Sequence, residues 1–271
     1  MPNTMRKNVY PGKFIVLEGI GGSGKTTQTK LLCDTLAVHD IPVRCTKRPT
    51  TESIFGCLVR VLLTHSNSVS EMSGEIKKFF NNEGYYIYRR FATEEQKTYL
   101  NTFEEIAQEI TVSAIERLPF FLQIGMTFDC EDHRIRTEIP ALQNEINVVS
   151  DRDFLSSLAY GGGDGLDWKF LLRMHFALLG RNFIMPNAII FIEVSPEIGL
   201  NRTMEKQRGT KEMFDDLKKL KKIREIYHRT LAHSTIKKLS NIYMINGEYD
   251  KKTVQKEIRA VAEIIFKQKL A

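Results

Sequence analysis

The stretch Gly19-Ile20-Gly21-Gly22-Ser23-Gly24-Lys25-Thr26 satisfies G-x-x-x-x-G-K-[ST], and Thr27 follows it. Glycines let a backbone wrap so tightly that successive N–H groups point at one anion, and a helix N-terminus behind them adds partial positive charge. In such a loop Lys25 reaches the β- and γ-phosphates of a nucleoside triphosphate, and the Thr26 hydroxyl sits on Mg²⁺. ATP and Mg²⁺ are therefore expected, with residues Gly19 to Thr27 holding the donor. A glycine-rich turn that binds nothing lacks a reason for the Lys-Thr pair and for the flanking strand and helix.

Further candidates stand where other apolar runs end. Asn147 to Ser150 leads into Asp151-Arg152-Asp153. A strand that ends in Asp, in a protein with this loop, aims the carboxylate at Mg²⁺ or its waters, so Thr26 and Asp151 form the expected metal pair. Arg152 offers a planar fork to a phosphate; a salt bridge between Asp151 and Arg152 is the competing reading. Lys47-Arg48 closes another run and suits a second phosphate group, or else a surface turn. Asn201-Arg202 and Arg208 lie in a basic helix start, where arginines could close over a transferring group or simply face solvent. Ser156, Ser157, Tyr160 and Gly161 to Gly163 are expected as a flexible rim beside the pocket, and Asn246-Gly247 as a turn at its far end.

The elements that must position these residues alternate. Strands are expected at 14–18, 42–46, 147–151, 188–194 and 242–245. Helices are expected at 26–38, 55–63, 131–143, 168–179, 197–207, 211–232 and 252–267, with apolar residues three and four apart, as in Val254, Ile258, Val261 and Ile265. Such alternation predicts a three-layer α/β sandwich with a five-stranded parallel sheet and helices on both faces. Ligands of such sheets bind beyond the strands' carboxyl ends, where the candidate residues fall.

The 271 residues suffice for one domain, 1–271, with room for an insertion. That insertion is expected at about 66–118, where no strand pair is visible and the composition is polar and helical. Thr102-Phe-Glu-Glu105 reads as a capping box, with Phe103, Ile106, Ile110, Ala114 and Leu118 as a stripe. Tyr85-Tyr-Ile-Tyr88-Arg89-Arg90-Phe91 interleaves aromatics and arginines, a pattern that stacks nucleobases but more often packs with a solvated basic edge.

Net charge is +6, with an excess of seven positive charges between Arg202 and Lys238. Beside a phosphate-binding loop a small polyanion accounts for this more simply than nucleic acid or a membrane surface. Cys33, Cys45, Cys57 and Cys130 show no C-x-x-C spacing, so reduced thiols and a cytoplasmic setting are expected. No apolar run reaches a membrane-spanning length.

In chain order these pieces resemble the thymidylate kinase family of nucleoside monophosphate kinases. The matching segments are Phe14-Ile-Val-Leu-Glu-Gly with Gly-Lys-Thr-Thr-Gln28, Thr46-Lys-Arg-Pro49 with Gly56, Pro140-Ala-Leu, Val148-Val-Ser-Asp151-Arg152, Ser156-Ser-Leu-Ala-Tyr160, Phe176-Ala-Leu-Leu-Gly180, Pro186 to Val194, and Asn201-Arg202 through Arg208-Gly209 to Phe214. The resemblance spans the chain except the insertion. It implies a P-loop kinase fold, a mobile lid at about 201–216 whose arginine is Arg208, and Arg152 with Lys47 or Arg48 as holders of the acceptor phosphate. It also implies a homodimer.

Three positions depart from the family pattern. Gly21 stands where an acidic residue contacts the sugar of the acceptor. Cys130, behind Asp129, stands where an arginine reads the thymine edge. Asp153 replaces a Tyr. The expected activity is transfer of the ATP γ-phosphoryl group to a deoxynucleoside monophosphate, dTMP the first candidate. Lys25, Arg152, Arg202 and Arg208 are the catalytic set, and Lys47, Arg48, Asp129, Asp151, Arg152 and Tyr160 the substrate set. A P-loop ATPase or nucleotide-gated regulator, and a kinase that binds without turnover, are the alternatives.

Overall fold

A computed structural model describes residues 5–64, 69–112, 117–207 and 216–270. In chain order its elements are β1 (Arg6–Lys7), β2 (Phe14–Glu18), α1 (Lys25–Val38), β3 (Val43–Lys47), α2 (Ile54–Thr64), α3 (Val69–Phe80), α4 (Glu83–Phe91), α5 (Glu94–Val112) and α6 (Leu118–His133). A π-helical turn at Arg134–Glu138 leads into α7 (Ile139–Gln143), followed by β4 (Asn147–Asp151), α8 (Phe154–Gly163), α9 (Trp168–Leu179), β5 (Ile184–Met185) and β6 (Ala188–Glu193). The chain continues as α10 (Pro196–Gln207), α11 (Leu217–Leu231), α12 (Ser234–Leu239), β7 (Asn241–Asn246) and α13 (Lys251–Phe266).

The main sheet has the order β3-β4-β2-β6-β7 and every pairing in it is parallel. Side chains alternate across each strand. Ile15 and Leu17 of β2 therefore pack with Leu32 and Leu36 of α1 and Val254 and Ile258 of α13, while Phe14 and Val16 face Leu142 and Val148 on the other side. Helices α6, α8, α9 and α11 complete that second layer around Phe154, Leu158 and Tyr227. Register places Lys47 beside Asp151 and Asp151 beside Leu17, so three strand ends meet at one edge of the sheet.

The stretch expected as an insertion contains α3, α4 and α5 among its described residues, and these lie against α2 and α6 through aromatic rings. Phe103 of α5 stacks on Phe121 with ring centroids 4.0 Å apart, and Phe79 of α3 meets Phe55 at 5.4 Å. Two local expectations change here. The capping box belongs to Thr93 and Gln96, whose side chains each accept from the other's backbone N–H at 3.2 and 2.7 Å; Thr102 lies inside α5. Phe103, Ile106 and Leu118 are buried as the stripe requires, whereas Ala114 lies outside the described residues. In α4, Tyr85 is buried and the Tyr88 hydroxyl donates to Glu131, so this segment packs rather than offering a row of free rings.

Two further corrections concern the sheet's surroundings. Residues 154–163 form the buried helix α8, not a flexible rim. Cys33 of α1 and Cys45 of β3 are joined by a disulfide, with Cα atoms 6.3 Å apart, because α1 packs across β3; Cys57 and Cys130 are the free thiols.

Candidate active site

The loop between β2 and α1 owes its course to two glycines with left-handed φ, 71° at Gly22 and 90° at Gly24, where a side chain would be strained. A Cβ on Gly22 would also run into the carbonyl oxygen of Gly199, so α10 braces the loop from outside. Lys25 is buried and its Nζ donates to Ile20 O at 2.9 Å. Burial, with Arg152 nearby, pushes its pKa down to about 7. Thr26 Oγ1 donates to Asp151 Oδ2 at 2.5 Å. Asp151 is thus tied to the loop and not to Arg152. The buried Asp151 Oδ1 and Ser23 Oγ carry no hydrogen-bond partner among the described residues.

Beside the loop lies a cavity of about 220 Å³. It brings together Gly21 and Thr26 from the loop, Lys47 and Arg48 from the end of β3, Asp129 and Cys130 from α6, and Arg152, Asp153, Ser156, Ser157 and Tyr160 from β4 and α8. An adjoining cavity shares Thr26 and Lys47 and is also lined by Asp151. Arg152 occupies the left-handed region at φ 77°, a strain of about 1–3 kcal/mol for a non-glycine residue. Its guanidinium lies 4.9 Å over the Tyr160 ring, and Nη1 donates to Ser156 Oγ at 3.3 Å.

Not every expected residue reaches this cavity as foreseen. Lys47 is exposed at its rim, while its neighbour Arg48 is buried. Asp129 lines the cavity but accepts from the backbone N–H and the hydroxyl of Thr50 at 3.0 and 2.5 Å, one through each oxygen, which fixes α6 against the turn after β3. Arg202 points elsewhere: its Nη1 donates to Gly247 O at 2.7 Å, so it holds the turn after β7. Arg208 and most of the lid after it lie outside the described residues.

Two groups of residues escaped sequence reasoning. Glu18, the last residue of β2, is fully buried and accepts from Asp153 N at 2.8 Å, Ser156 Oγ at 2.6 Å and Tyr227 Oη at 3.0 Å. Burial pushes its pKa up to about 7 despite these donors. A carboxylate ending an otherwise apolar strand directly before the loop was the available signal. The second group is a buried cluster of two arginines and two acids. Arg134 Nη2 donates to both oxygens of Asp153 at 3.0 and 2.9 Å, and its Nη1 lies 2.7 Å from Glu138 Oε2. Arg48 Nη2 donates to the same Glu138 oxygen at 2.6 Å, and Arg48 Nε lies 3.3 Å from Asp153 Oδ1. Burial alone would raise the Asp153 pKa, but the two guanidiniums outweigh it and hold the carboxyl below its usual value. Arg134 and Glu138 lie four residues apart in the π-helical turn and share the inner side of one helix.

Comparison with known proteins agrees with this geometry. The family model for thymidylate kinase matches residues 17–99 and 75–258. A thymidylate kinase from Leptospira interrogans is 29% identical over 224 residues, covering 83% of this chain and 84% of the relative. A probable thymidylate kinase from Thermococcus kodakarensis is 29% identical over 254 residues, covering 93% and 98%. A thymidylate kinase from Buchnera aphidicola is 30% identical over 196 residues, covering 72% and 70%. With a phosphate loop, a parallel sheet in the order 3-4-2-6-7 and a family match along most of its length, the chain belongs to the thymidylate kinase family.

Proposed function

We propose that this nucleoside monophosphate kinase transfers the γ-phosphoryl group of ATP to a deoxynucleoside monophosphate, dTMP first, giving ADP and the diphosphate. The observation that carries the reading is the shared cavity: Gly21 and Thr26 on one wall and Lys47 and Arg152 on the other, delivered by the ends of three strands, β2, β3 and β4. An acceptor phosphate oxygen attacks the γ-phosphorus, the bond to the β,γ-bridging oxygen breaks, and ADP leaves with that electron pair. The chain's contribution is to align the two anions and to neutralise them.

The loop amides and Lys25 hold the donor phosphates. Lys47 and Arg152 hold the acceptor phosphate, Arg152 being pre-oriented by Tyr160 and Ser156. Thr26 and Asp151 suit Mg²⁺, a cation that takes oxygen ligands, since the buried Asp151 Oδ1 is uncommitted beside the Thr26 hydroxyl. When bound there, the cation withdraws charge from the phosphate oxygens. Arg208 is assigned the lid role. Arg202 serves the Gly247 turn, and Asp129 and Arg48 act on the acceptor's far side. A cytoplasmic setting and a homodimer belong to the same reading, and sedimentation velocity reports the second directly.

A coupled assay of ADP release tests the reaction across dTMP, dUMP, dCMP, dAMP, dGMP and no acceptor. Release that requires dTMP or a close relative is expected. Acceptor-independent release would make the chain an ATPase or nucleotide-gated regulator, and no release would make it a binding protein without turnover.

A further inference from the structure

The cavity that adjoins the acceptor site, about 380 Å³, lies between one stripe of α1 and one face of β3. Thr26, Lys30 and Cys33 stand four and three residues apart on α1, and Cys45 and Lys47 two apart on β3, so each set shares a face. The Cys33–Cys45 disulfide crosses from one set to the other. It therefore ties the strand end that carries Lys47 to the helix that carries Thr26. The two sides of this tie are unequally held. Leu32 and Leu36, fully buried, fix α1 in the core, whereas β3 is the edge strand of the sheet, paired with β4 and largely exposed.

The two sulfurs differ as well. Cys45 is exposed, while Cys33 is 7% exposed and belongs to the apolar cluster of Leu32, Leu36 and Ile41. Thiol–disulfide exchange depends on which sulfur an attacking thiolate can reach. Access selects Cys45 as the sulfur attacked and Cys33 as the one expelled. In the cytoplasmic setting proposed above, a disulfide is a transient bond rather than a permanent staple.

We propose that the Cys33–Cys45 bridge is a thiol–disulfide exchange site for a small-molecule thiol, and that opening it loosens the end of β3 that presents Lys47. A thiolate attacks Cys45 Sγ, the S–S bond breaks, and Cys33 leaves with the electron pair as a thiolate. A second small thiolate attacks the non-protein sulfur of the mixed disulfide and releases Cys45. Two small thiols become one disulfide, the protein bridge becomes two thiols, and the protons shed by the former are taken up by the latter. The exchange stands without the kinase reading; its effect on the acceptor rests on that reading, because Lys47 is assigned there to the acceptor phosphate.

The probe is glutathione. Oxidised glutathione is added to Cys33→Ser and Cys45→Ser, and adducts are mapped by peptide mass spectrometry, with the exposed Cys57 as an internal reference. Cys45 should be modified as readily as Cys57, and Cys33 at least about tenfold more slowly. In the wild type, reduced glutathione should open the bridge in the folded protein, and amide hydrogen exchange over residues 43–48 should then rise about tenfold while α1 stays protected. KM for dTMP should rise about two- to fivefold, the worth of one exposed ion pair, with KM for ATP unchanged. Equal modification of Cys33 and Cys45, or a bridge that resists reduced glutathione until the protein unfolds, overturns the exchange site. Unchanged exchange in β3 after reduction overturns the loosening. Faster exchange in β3 with an unaltered KM for dTMP would instead count against Lys47 as a holder of the acceptor phosphate, and absence of turnover with every monophosphate against the kinase reading itself.

Discussion

The two walls of the active-site cavity are built on opposite plans. The donor wall is local: eight consecutive residues, Gly19 to Thr26, supply backbone amides, an ammonium and a hydroxyl, and short-range geometry at Gly22 and Gly24 sets their course. The acceptor wall is assembled from afar. Arg48 and Asp153 line it with Arg134 and Glu138 behind them; the four come from the ends of β3 and β4 and the turn after α6, and they hold one another with side chains at most 7% exposed. In the proposed kinase, charge on the donor wall is offered to a ligand. On the acceptor wall most of it is spent on other side chains. Substitutions should therefore separate: changes on the donor wall reduce turnover, and changes under the acceptor wall reduce stability first.

The largest effect is expected at Arg134. It is fully buried, paired with Asp153 and Glu138, and stacked 4.7 Å over the Phe14 ring. Arg134→Met leaves both acids without that partner in a dry environment, and removing one member of such a network costs about 3–5 kcal/mol. Urea unfolding followed by circular dichroism measures it. A midpoint equal to the wild type's would mean that the cluster is solvated and that the contrast between the walls is false.

Lys25→Ala probes the other plan. Loss of a charge-stabilising donor typically lowers kcat by about 10²- to 10³-fold. Because the side-chain hydrogen bond of Lys25 among the described residues goes to Ile20 O of its own loop, and its ammonium is already destabilised by burial, unfolding should be little affected. Rapid-quench turnover and a urea titration on the same sample separate the two quantities. A large fall in stability would place Lys25 with Arg134 and erase the distinction.

The same contrast explains what could be read without coordinates. All five strands of the main sheet and the helices α1, α2, α9, α10 and α13 follow from short apolar runs or three-to-four spacing, and the phosphate loop is a contiguous signature. What escaped was long-range. Gly161 and Gly163 suggested flexibility, but each is a contact point: a Cβ on Gly161 would lie 2.5 Å from Leu171 Cδ1, and one on Gly163 the same distance from Ile223 Cγ1. Helix α8 packs against α9 and α11 because those side chains are absent. The basic pair at 47 and 48 looked like one phosphate site, and only Glu138 and Asp153, about a hundred residues on, divide it into a rim cation and a buried one. The Cys33–Cys45 bridge likewise depends on how α1 crosses β3, which no spacing rule contains.

Glu18 joins the two walls, and pH reports on it. Its carboxyl is raised by burial from 4.5 to about 7. Between those values the native state keeps a proton that the unfolded chain has released, so stability from this group is full at low pH and is lost as pH rises through 7. Glu18→Gln cannot ionise. Unfolding free energies measured from pH 5 to pH 8 should fall for the wild type relative to the variant, by an amount on the order of 1–3 kcal/mol. Parallel curves would mean that Glu18 is ionised throughout and that Ser156 and Tyr227 solvate it well enough to offset burial.

The smallest structural effect is expected at Gly21, and it separates two kinds of glycine in one loop. A Cβ there would meet nothing closer than Thr203 Oγ1 at 3.6 Å, and its φ lies outside the left-handed region. Gly21→Asp should therefore change stability by no more than about 0.5 kcal/mol. The new carboxylate would enter the acceptor cavity at the position where the family resemblance puts a sugar contact, and one added hydrogen bond should lower KM for a deoxynucleoside monophosphate roughly fivefold. Gly22→Ala, one residue later, combines a φ of 71° with a collision against Gly199, and should disorder the loop and abolish nucleotide binding. Isothermal titration with ATP, alongside KM for dTMP, distinguishes the pair. If Gly21→Asp weakened ATP binding as Gly22→Ala does, Gly21 would belong to the donor's cradle alone, and the acceptor's sugar would have to be held from the opposite wall.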